Sequence, residues 1–267
     1  MTGLSGQSSR FREALADVHA PALGTWVKIP AMEIMELVAL AGFDFAIIDL
    51  EHSPITLESA YQLIGTALYL GVAPLVRVPA ADAGVVQRML DAGAEGIMMP
   101  HVDTVEQARA AVSLVRFPPL GSRGVGSTSR AGAWGARSRA DYLRYGQQEV
   151  VLIAQIESAV GVRNAGAIAA VEGVDALLVG AADLSVSEGK TESDPDIAAL
   201  IAVAVAHGRV AGVPVGNAGG ATVESVRAAV DAGFRFTALS NDASLFGAAA
   251  KAAVDAARTV TYELEGP

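Results

Sequence analysis

The sequence predicts a single (β/α)8 barrel, because one local plan recurs along its 267 residues. Four times, the end of a helix is followed by a glycine and then by a short apolar run, at 39–49, 89–100, 170–180 and 229–240. Glycine at such a point is a typical helix C-cap, and the apolar run after it is typical of a strand. Four more apolar runs lie between these units, at 23–29, 72–78, 150–156 and 212–218.

The eight runs are continuously apolar, as expected of strands that are buried on both faces. The segments between them have apolar residues at helical spacing and begin near a threonine or a proline, most clearly at 31–40, 56–68, 104–115 and 222–230. Eight strand–helix units in a chain of this length indicate a barrel. A doubly wound open sheet is the alternative, but no G-x-G-x-x-G turn follows the first strand, which disfavours a dinucleotide-binding fold.

Length and composition favour one domain over residues 1–267, with a short helical segment at about 1–22 and a C-terminal helix at about 241–258. The absence of cysteine excludes a disulfide framework, a thiolate zinc site and a cysteine nucleophile. No apolar run approaches the roughly 18 residues of a membrane span, and the N-terminus has no apolar signal-peptide core. We therefore expect a cytoplasmic enzyme without membrane contact.

The charge balance argues against nucleic acid as a partner. Nineteen Lys and Arg residues face 29 Asp and Glu residues, for a formal net charge of −10. No basic run with interleaved aromatic residues is present, although such a run is the usual footprint of nucleic-acid binding. A small molecule is the expected partner.

Two carboxylates follow adjacent predicted strands, at the barrel end where active sites of this fold lie. Glu157 follows the fifth strand and Asp183 the sixth, so their carboxylates can converge. Hard oxygen donors suit Mg²⁺ or Mn²⁺, or Co²⁺, and leave coordination positions for water and substrate. The alternative for Asp183 is that it caps the next helix. The pairing with Glu157 favours the metal site.

Other strand ends have groups suited to charge stabilisation and proton transfer. Arg77 can hold a carboxylate or a developing enolate oxygen, and its alternative role is an ion pair with a nearby carboxylate. Asp49 can orient the imidazole of His52, which then acts as a general acid or base near neutral pH. His101 is a second histidine at a strand end, for which a surface role is favoured. Glu51 is expected to point away from the site.

The longest irregular stretch, 117–138, is rich in glycine and contains Arg123, Arg130 and Arg137. Loops of this length inside a compact domain are usually functional or mobile. Contact with an anion and solvation of a mobile lid both remain open for Arg123. Solvation is favoured for the other two arginines.

Several segments, taken in order, resemble the HpcH/HpaI aldolase family, the metal-dependent class II pyruvate aldolases. The resemblance runs from about residue 22 to about residue 250, which is nearly the whole chain. Any one of its motifs is weak alone, but their combination in order is specific. These motifs are "DLEHSP" at 49–54, "PPLGSRGVG" at 118–126 and "QIES" at 155–158.

The resemblance implies reversible cleavage of a 4-hydroxy-2-oxo acid to pyruvate and an aldehyde, through a metal-stabilised enolate. Glu157 and Asp183 would bind the divalent metal, and no organic cofactor is implied. Arg77 would contact the keto or enolate oxygen, and His52 with Asp49 would transfer the proton.

The resemblance also implies a pyruvate pocket and a homo-oligomer, often a hexamer whose subunits exchange the last helix. Asp91 would reach the site of a neighbouring subunit, so the C-terminal helix at about 241–258 is expected to serve oligomer packing. The pyruvate pocket would be lined by Trp26, Gln155, Gly180 and Ala182.

Alternatives to aldol cleavage remain open at this stage. The same enolate serves oxaloacetate decarboxylation or another carbon–carbon bond formation, and a barrel that binds a small acid without catalysis is a further alternative. An imine mechanism is disfavoured, because Lys28 is the one lysine near a strand end. The chain departs from the family pattern at Ala181, His101 and 186–196, where the aldehyde half of the substrate would bind, so the acceptor stays open.

Overall fold

The computed structural model of the protein describes residues 8–261 and contains a closed barrel of eight parallel strands in chain order. Pairing of Ala22 with Phe236 closes the last strand onto the first, which confirms the predicted single-domain (β/α)8 barrel and rules out the open sheet. The strands are β1 Ala22–Val27, β2 Phe45–Asp49, β3 Ala73–Arg77, β4 Gly96–Met99, β5 Val151–Ile156, β6 Ala176–Val179, β7 Val215–Gly219 and β8 Phe236–Asn241.

Helices surround the strands, and the four most clearly predicted ones are confirmed as α2, α3, α5 and α10. Threonines at positions 56, 104 and 222 cap α3, α5 and α10 by accepting a backbone N–H three residues later. The helices are α1 Arg10–Ala16, α2 Met32–Ala41, α3 Leu57–Leu70, α4 Ala83–Asp91, α5 Val105–Val115, α6 Arg139–Gln148, α7 Ala159–Ala169, α8 Ala181–Ser187, α9 Pro195–Ala211, α10 Val223–Ala232 and α11 Asp242–Ala257.

Successive residues of each strand alternate between two apolar layers, which explains why the strands are apolar throughout. Phe45 and Ile47 of β2 point into the barrel, where they pack with inward side chains of the other strands. Ala46 and Ile48 point outwards and pack against the helices. The barrel interior is therefore a filled core, and chemistry is confined to its ends.

Helix α1 closes the amino end of the barrel. Its Phe11 is fully buried and makes edge-to-face contacts with the rings of Phe45 and Phe236, at centroid distances of 5.1 and 5.3 Å. Glu95 holds the start of the helix by accepting hydrogen bonds from the Ser9 hydroxyl and the Phe11 backbone N–H. Of the helical segment expected at about 1–22, the helix itself spans Arg10–Ala16, and residues 1–7 lie outside the described residues.

The predicted C-terminal helix is present as α11, and it packs only weakly on its own barrel. Asp242 is its one buried residue, whereas Phe246 is 72% exposed and Val254 47% exposed. Its expected use in oligomer packing stays a prediction. Within residues 8–261, no helix combines the length and the apolar character that crossing a bilayer requires.

The long segment 117–138 contains one 3-10 turn, Arg130–Gly135, and its arginines are not solvated as a group. The expectation of solvation is wrong for Arg130, which donates to the carbonyls of Tyr61 and Ala92 and stacks on the Tyr61 ring. Arg137 stacks over the ring of Tyr145 at 4.7 Å. The rings of Tyr61 and Tyr145, on neighbouring helices, thus contact guanidinium groups that the sequence predicted to be solvated.

Replacing Phe11 tests whether α1 acts as a structural plug. We expect Phe11→Ala to lower the free energy of unfolding by about 3–5 kcal/mol, because a buried aromatic side chain is removed from a packed site. Val18→Ala, at a residue 72% exposed just beyond α1, is the matched control and should change it by less than about 0.5 kcal/mol. Urea titration measures both variants, and equal midpoints would show that the plug does not contribute.

Candidate active site

An open cavity of about 320 Å³ lies at the carboxyl ends of the strands. Seven of the residues expected in the site line this cavity. They are Trp26, His52, Arg77, Gln155, Gly180, Ala182 and Asp183. Two further expected residues, Asp49 and Glu157, are buried and hydrogen-bonded to these lining residues. The topology of the barrel thus brings together residues that are far apart in the chain.

Asp49 is fully buried at the end of β2, where it organises the base of the cavity. Its two carboxylate oxygens accept hydrogen bonds from Arg77 Nε and Nη2 at 3.0 and 2.8 Å, a bidentate pair. Lys28 Nζ lies 2.7 Å from Oδ2 and also donates to the His52 carbonyl. Burial opposes ionisation of Asp49, but the bonds from Arg77 and Lys28 outweigh it and lower the pKa to about 2.

The expected pairing of Asp49 with the imidazole of His52 is not the geometry that forms. Asp49 Oδ1 accepts the backbone N–H groups of Glu51 and His52, each at 3.1 Å, and this turns the chain sharply after β2. The imidazole Nε2 of His52 instead lies 3.8 Å from the carboxylate of Glu51, and the His52 side chain is 59% exposed at the cavity.

Glu51 belongs to the site, contrary to the expectation that it points away. The alternation of an extended strand does not apply to it, because β2 ends at Asp49. Its carboxylate lies 3.2 Å from Arg77 Nη1 and 3.5 Å from the Nε2 atom of His101. Glu51 therefore connects Arg77 with His52, which lines the cavity, and with His101.

Trp26 and Arg77 form one wall of the cavity. The guanidinium carbon of Arg77 lies 4.3 Å from the centroid of the Trp26 ring, in cation–π contact. With Asp49 on one side and the indole on another, the guanidinium is held in a single orientation. Both expected alternatives for Arg77 are thus compatible, since it forms an ion pair and still faces the cavity.

Glu157 is buried at the end of β5 and held by three donors. It accepts from Gln155 Nε2 at 2.7 Å and from the backbone N–H of His101 at 2.8 Å, and the Nδ1 atom of His101 lies 2.6 Å away. Burial raises the pKa of Glu157, and the negative charges of Asp183 and Glu51 add to this effect. Three carboxylates therefore interact electrostatically at this point of the cavity.

His101 lies within the site, although a surface role was favoured from the sequence. Its side chain is 63% exposed, yet both ring nitrogens face carboxylates, Nδ1 towards Glu157 and Nε2 towards Glu51. Its backbone has a φ of 54°, in the left-handed region that a histidine seldom occupies. This conformation directs its N–H towards Glu157 and is compensated by that contact.

Asp183 is not a helix cap, because the N-cap of α8 is Gly180 and Asp183 lies in the first turn. Its carboxylate is exposed in the cavity and accepts no hydrogen bond from the described residues. The neighbouring Gly180 is close to the other carboxylate, since an added Cβ would lie 3.1 Å from Glu157 Oε2. A side chain at this position would therefore crowd Glu157 and Gln155.

These groups fit a divalent cation. Glu157 and Asp183 offer hard oxygen donors. The buried Oε1 atom of Gln155, on the side chain that donates to Glu157, has no hydrogen-bond partner in the described part of the chain. Within residues 8–261, no cluster of three or more His, Asp or Glu side chains is arranged to hold a metal ion. A cation here would thus take two protein carboxylates and complete its coordination with water or substrate.

Asp91 lies away from this cavity. It is the last residue of α4, which leads to the amino end of β4, at the opposite end of the barrel. Its carboxylate accepts from Gln87 Nε2 at 2.8 Å and from the Tyr142 hydroxyl at 3.3 Å, and it lies 3.4 Å from Arg123 Nη2. Its expected role in the site of a neighbouring subunit stays a prediction.

Sequence reasoning did not select every residue of the cavity. Ser240 and Asn241 are the last residues of β8 and Lys28 follows β1, so their strand-end positions were a usable indication. Glu192 lines the cavity from the connection between α8 and α9, inside the polar segment 186–196. Glu192 lies neither at a strand end nor in a recognisable motif, so no sequence pattern indicated that it reaches the cavity.

Comparison with known proteins identifies the family of the chain. A family model described as HpcH/HpaI aldolase/citrate lyase matches residues 22–249. A 2-dehydro-3,6-dideoxy-6-sulfogluconate aldolase from Pseudomonas putida is 39% identical over 228 residues, covering 84% of this chain and 87% of that protein. A hydroxypyruvate/pyruvate aldolase from Cupriavidus necator is 37% identical over 248 residues, covering 90% and 89%.

Solved structures of known proteins match the fold of this chain. The crystal structure of an HpcH/HpaI aldolase/citrate lyase family protein from Burkholderia cenocepacia J2315 has a TM-score of 0.87 and 37% identity, and the match covers 94% of this chain and 100% of that one. The resemblance found in the sequence is thereby confirmed. The chain is a carbon–carbon lyase, and it belongs to the HpcH/HpaI aldolase/citrate lyase family.

Proposed function

We propose that the protein is a divalent-metal-dependent aldolase that reversibly splits a 4-hydroxy-2-oxo acid into pyruvate, or a close analogue, and an aldehyde. The observation that carries the proposal is that Asp183 and a fixed Arg77 line one cavity, with Glu157 buried beside it and hydrogen-bonded to its lining residue Gln155. Relatives named as aldolases for a sulfonated sugar acid and for hydroxypyruvate/pyruvate support a 2-oxo acid as substrate.

Glu157 and Asp183 are the residues that would hold the cation, and Mg²⁺ or Mn²⁺ suits their oxygen donors best. Gln155 and the His101 backbone N–H fix the orientation of Glu157, which keeps one ligand in place before any ion arrives. When bound, the cation supplies a Lewis acid for the carboxylate and 2-oxo oxygens of the substrate.

Arg77 supports the developing negative charge on the 2-oxo oxygen. Asp49 and Glu51 engage three of its N–H groups, and a guanidinium has further donors that remain for substrate. Because Asp49 and Trp26 fix the guanidinium beforehand, little reorganisation is needed when charge builds up during bond cleavage.

His52 accepts the proton of the 4-hydroxyl group during cleavage. As the C3–C4 bond breaks, its electrons form the enolate of the 2-oxo acid, and the O–H electrons form the aldehyde carbonyl. The released proton goes to the exposed imidazole of His52, and one proton must then reach C3 of the enolate to give the 2-oxo acid product. In synthesis, the imidazole returns its proton to the oxygen that becomes the 4-hydroxyl group. Glu51, 3.8 Å from the imidazole, is the carboxylate that faces the ring in this step.

We further propose that the protein is a homo-oligomer in which α11 packs on another subunit. The support is the unpartnered apolar surface of α11, where Phe246 and Val254 are exposed on a helix with one buried residue. The position of Asp91 far from its own cavity is compatible with a role in a neighbouring site. A hexamer is the expected assembly.

Metal removal tests the central claim. We expect EDTA to abolish retro-aldol activity and Mn²⁺ or Mg²⁺ to restore it. Asp183→Asn and Glu157→Gln should weaken Mn²⁺ binding by about a hundredfold or more, whereas Glu188→Gln, one residue past α8, should not. Calorimetric Mn²⁺ titration measures binding independently of turnover. Full activity in EDTA, with pyruvate trapped by borohydride on Lys28, would instead establish an imine mechanism.

Comparing two reactions tests the proton-transfer role. Aldol cleavage needs a base for the 4-hydroxyl group, whereas decarboxylation of oxaloacetate needs none at that position. We therefore expect His52→Ala to lower kcat/KM for cleavage by about 10²- to 10⁴-fold and to affect oxaloacetate far less. His101→Ala distinguishes the two imidazoles, and His19→Ala, exposed near the amino end, is the control. Equal losses in both reactions would contradict the assignment.

Light scattering after size-exclusion chromatography tests the assembly. We expect the wild type to be oligomeric and Phe246→Asp to shift it to smaller species, because a charge would be buried at the contact. Val210→Asp, at an 86% exposed residue of α9, is the matched control and should leave the assembly unchanged. A monomeric wild type at micromolar concentration would refute the proposal.

A further inference from the structure

A second cavity of about 40 Å³ lies at the amino end of the barrel. It is bordered by the residues that lead into β4 and β5 and by the last turns of α3 and α4, so it is on the opposite end from the candidate active site. Four arginines line it in a protein whose net charge is −10, namely Arg10, Arg123, Arg130 and Arg137.

Among the buried groups that line this cavity, Arg123 is the one whose hydrogen-bond donors are least satisfied. Its side chain is 1% exposed, and its Nε and Nη1 atoms have no hydrogen-bond partner among residues 8–261. Its guanidinium is covered by the rings of Phe117 and Tyr142, with centroids at 4.6 and 5.9 Å. The remaining contacts are long, from Nη2 to Asp91 and to the Tyr142 hydroxyl, both at 3.4 Å. A buried cation in this condition is costly without a counter-charge.

The carboxylates near the cavity are occupied by other partners. Glu95 accepts from Arg10 at 2.7 Å and from the Ser9 hydroxyl at 3.0 Å. Asp91 Oδ2 accepts from Gln87 Nε2 at 2.8 Å, and only its other oxygen faces Arg123. Neither carboxylate therefore gives Arg123 a short, well-formed ion pair.

Arg130 adds a second positive charge that its contacts do not neutralise. It donates to the backbone carbonyls of Tyr61 and Ala92, at 2.7 and 2.9 Å, and stacks on the Tyr61 ring at 3.7 Å. Carbonyl dipoles and a π-face orient a guanidinium, but they carry no net charge. Burial lowers the pKa of Arg130, which is the expected response of a cation that lacks a counter-ion.

We propose that this cavity binds a small oxyanion, the phosphate or carboxylate group of a ligand, through Arg123 and Arg130. Planar guanidinium groups suit such anions because they offer paired N–H donors. The volume is sufficient, since one water needs about 10 to 15 Å³ and the cavity holds roughly three. A bound anion links the segment 117–138 to α3, α4 and α6 and stabilises the folded chain by mass action.

Thermal unfolding with inorganic phosphate tests the site on the full chain. The measurement is made in EDTA, so that no metal at the active-site cavity recruits phosphate, with chloride at equal ionic strength as reference. We expect the Tm of the wild type to rise by about 5 °C or more at saturating phosphate. A parallel titration with acetate distinguishes the ligand group, because a phosphate site responds to phosphate alone and a carboxylate site responds to acetate.

Variants assign the effect to the cavity. Arg123→Met and Arg130→Gln should each lose most of the Tm shift. If Arg123→Met does not fold, the shift measured with Arg130→Gln tests whether phosphate binds in this cavity. Arg139→Gln, at an exposed residue of α6, and Lys28→Met, at the active-site cavity, should keep the full shift. A wild type without any shift beyond chloride, or equal shifts in the wild type and both cavity variants, would overturn the proposal.

Discussion

The buried carboxylate of Asp49 is the interaction on which the candidate active site depends. It is fully buried, yet it stays ionised because two cations donate to it, Arg77 at the end of β3 and Lys28 directly after β1. The same carboxylate accepts the N–H groups of Glu51 and His52, so it also determines the turn after β2. One side chain therefore orients the arginine, places His52 at the cavity and places Glu51 beside Arg77.

Much of the fold and part of the site followed from the sequence, because both depend on local patterns. The helix-end glycines and apolar runs determine strands and helices locally, and parallel strands bring their carboxyl ends to one side. That rule was sufficient to collect Trp26, Arg77, Gln155 and Asp183 in one cavity. Nothing in the rule specifies which side chains touch within the cavity.

The remaining features could not be predicted, because each depends on a contact between distant segments. Glu51 turns inward because Asp49 captures the N–H groups of the turn, and no strand periodicity describes such a turn. His101 takes a left-handed conformation that its contact with Glu157 compensates. Arg130 is covered by Tyr61, which is 69 residues away in the chain. Such partners become visible only when the helices are packed.

The two ends of the barrel have opposite charge imbalances. At the carboxyl end, burial and the negative charges of Asp183 and Glu51 raise the pKa of Glu157, and a divalent cation would relieve this repulsion. At the amino end, Arg123 has only a long contact with the carboxylate of Asp91, and Arg130 is paired with no carboxylate among residues 8–261. A buried charge is tolerated in a folded chain when an opposite charge or hydrogen bonds compensate it. Residues 8–261 compensate the charges at the two ends of the barrel only in part. The same physical requirement therefore argues for a cation at the site of chemistry and for an anion at the opposite end.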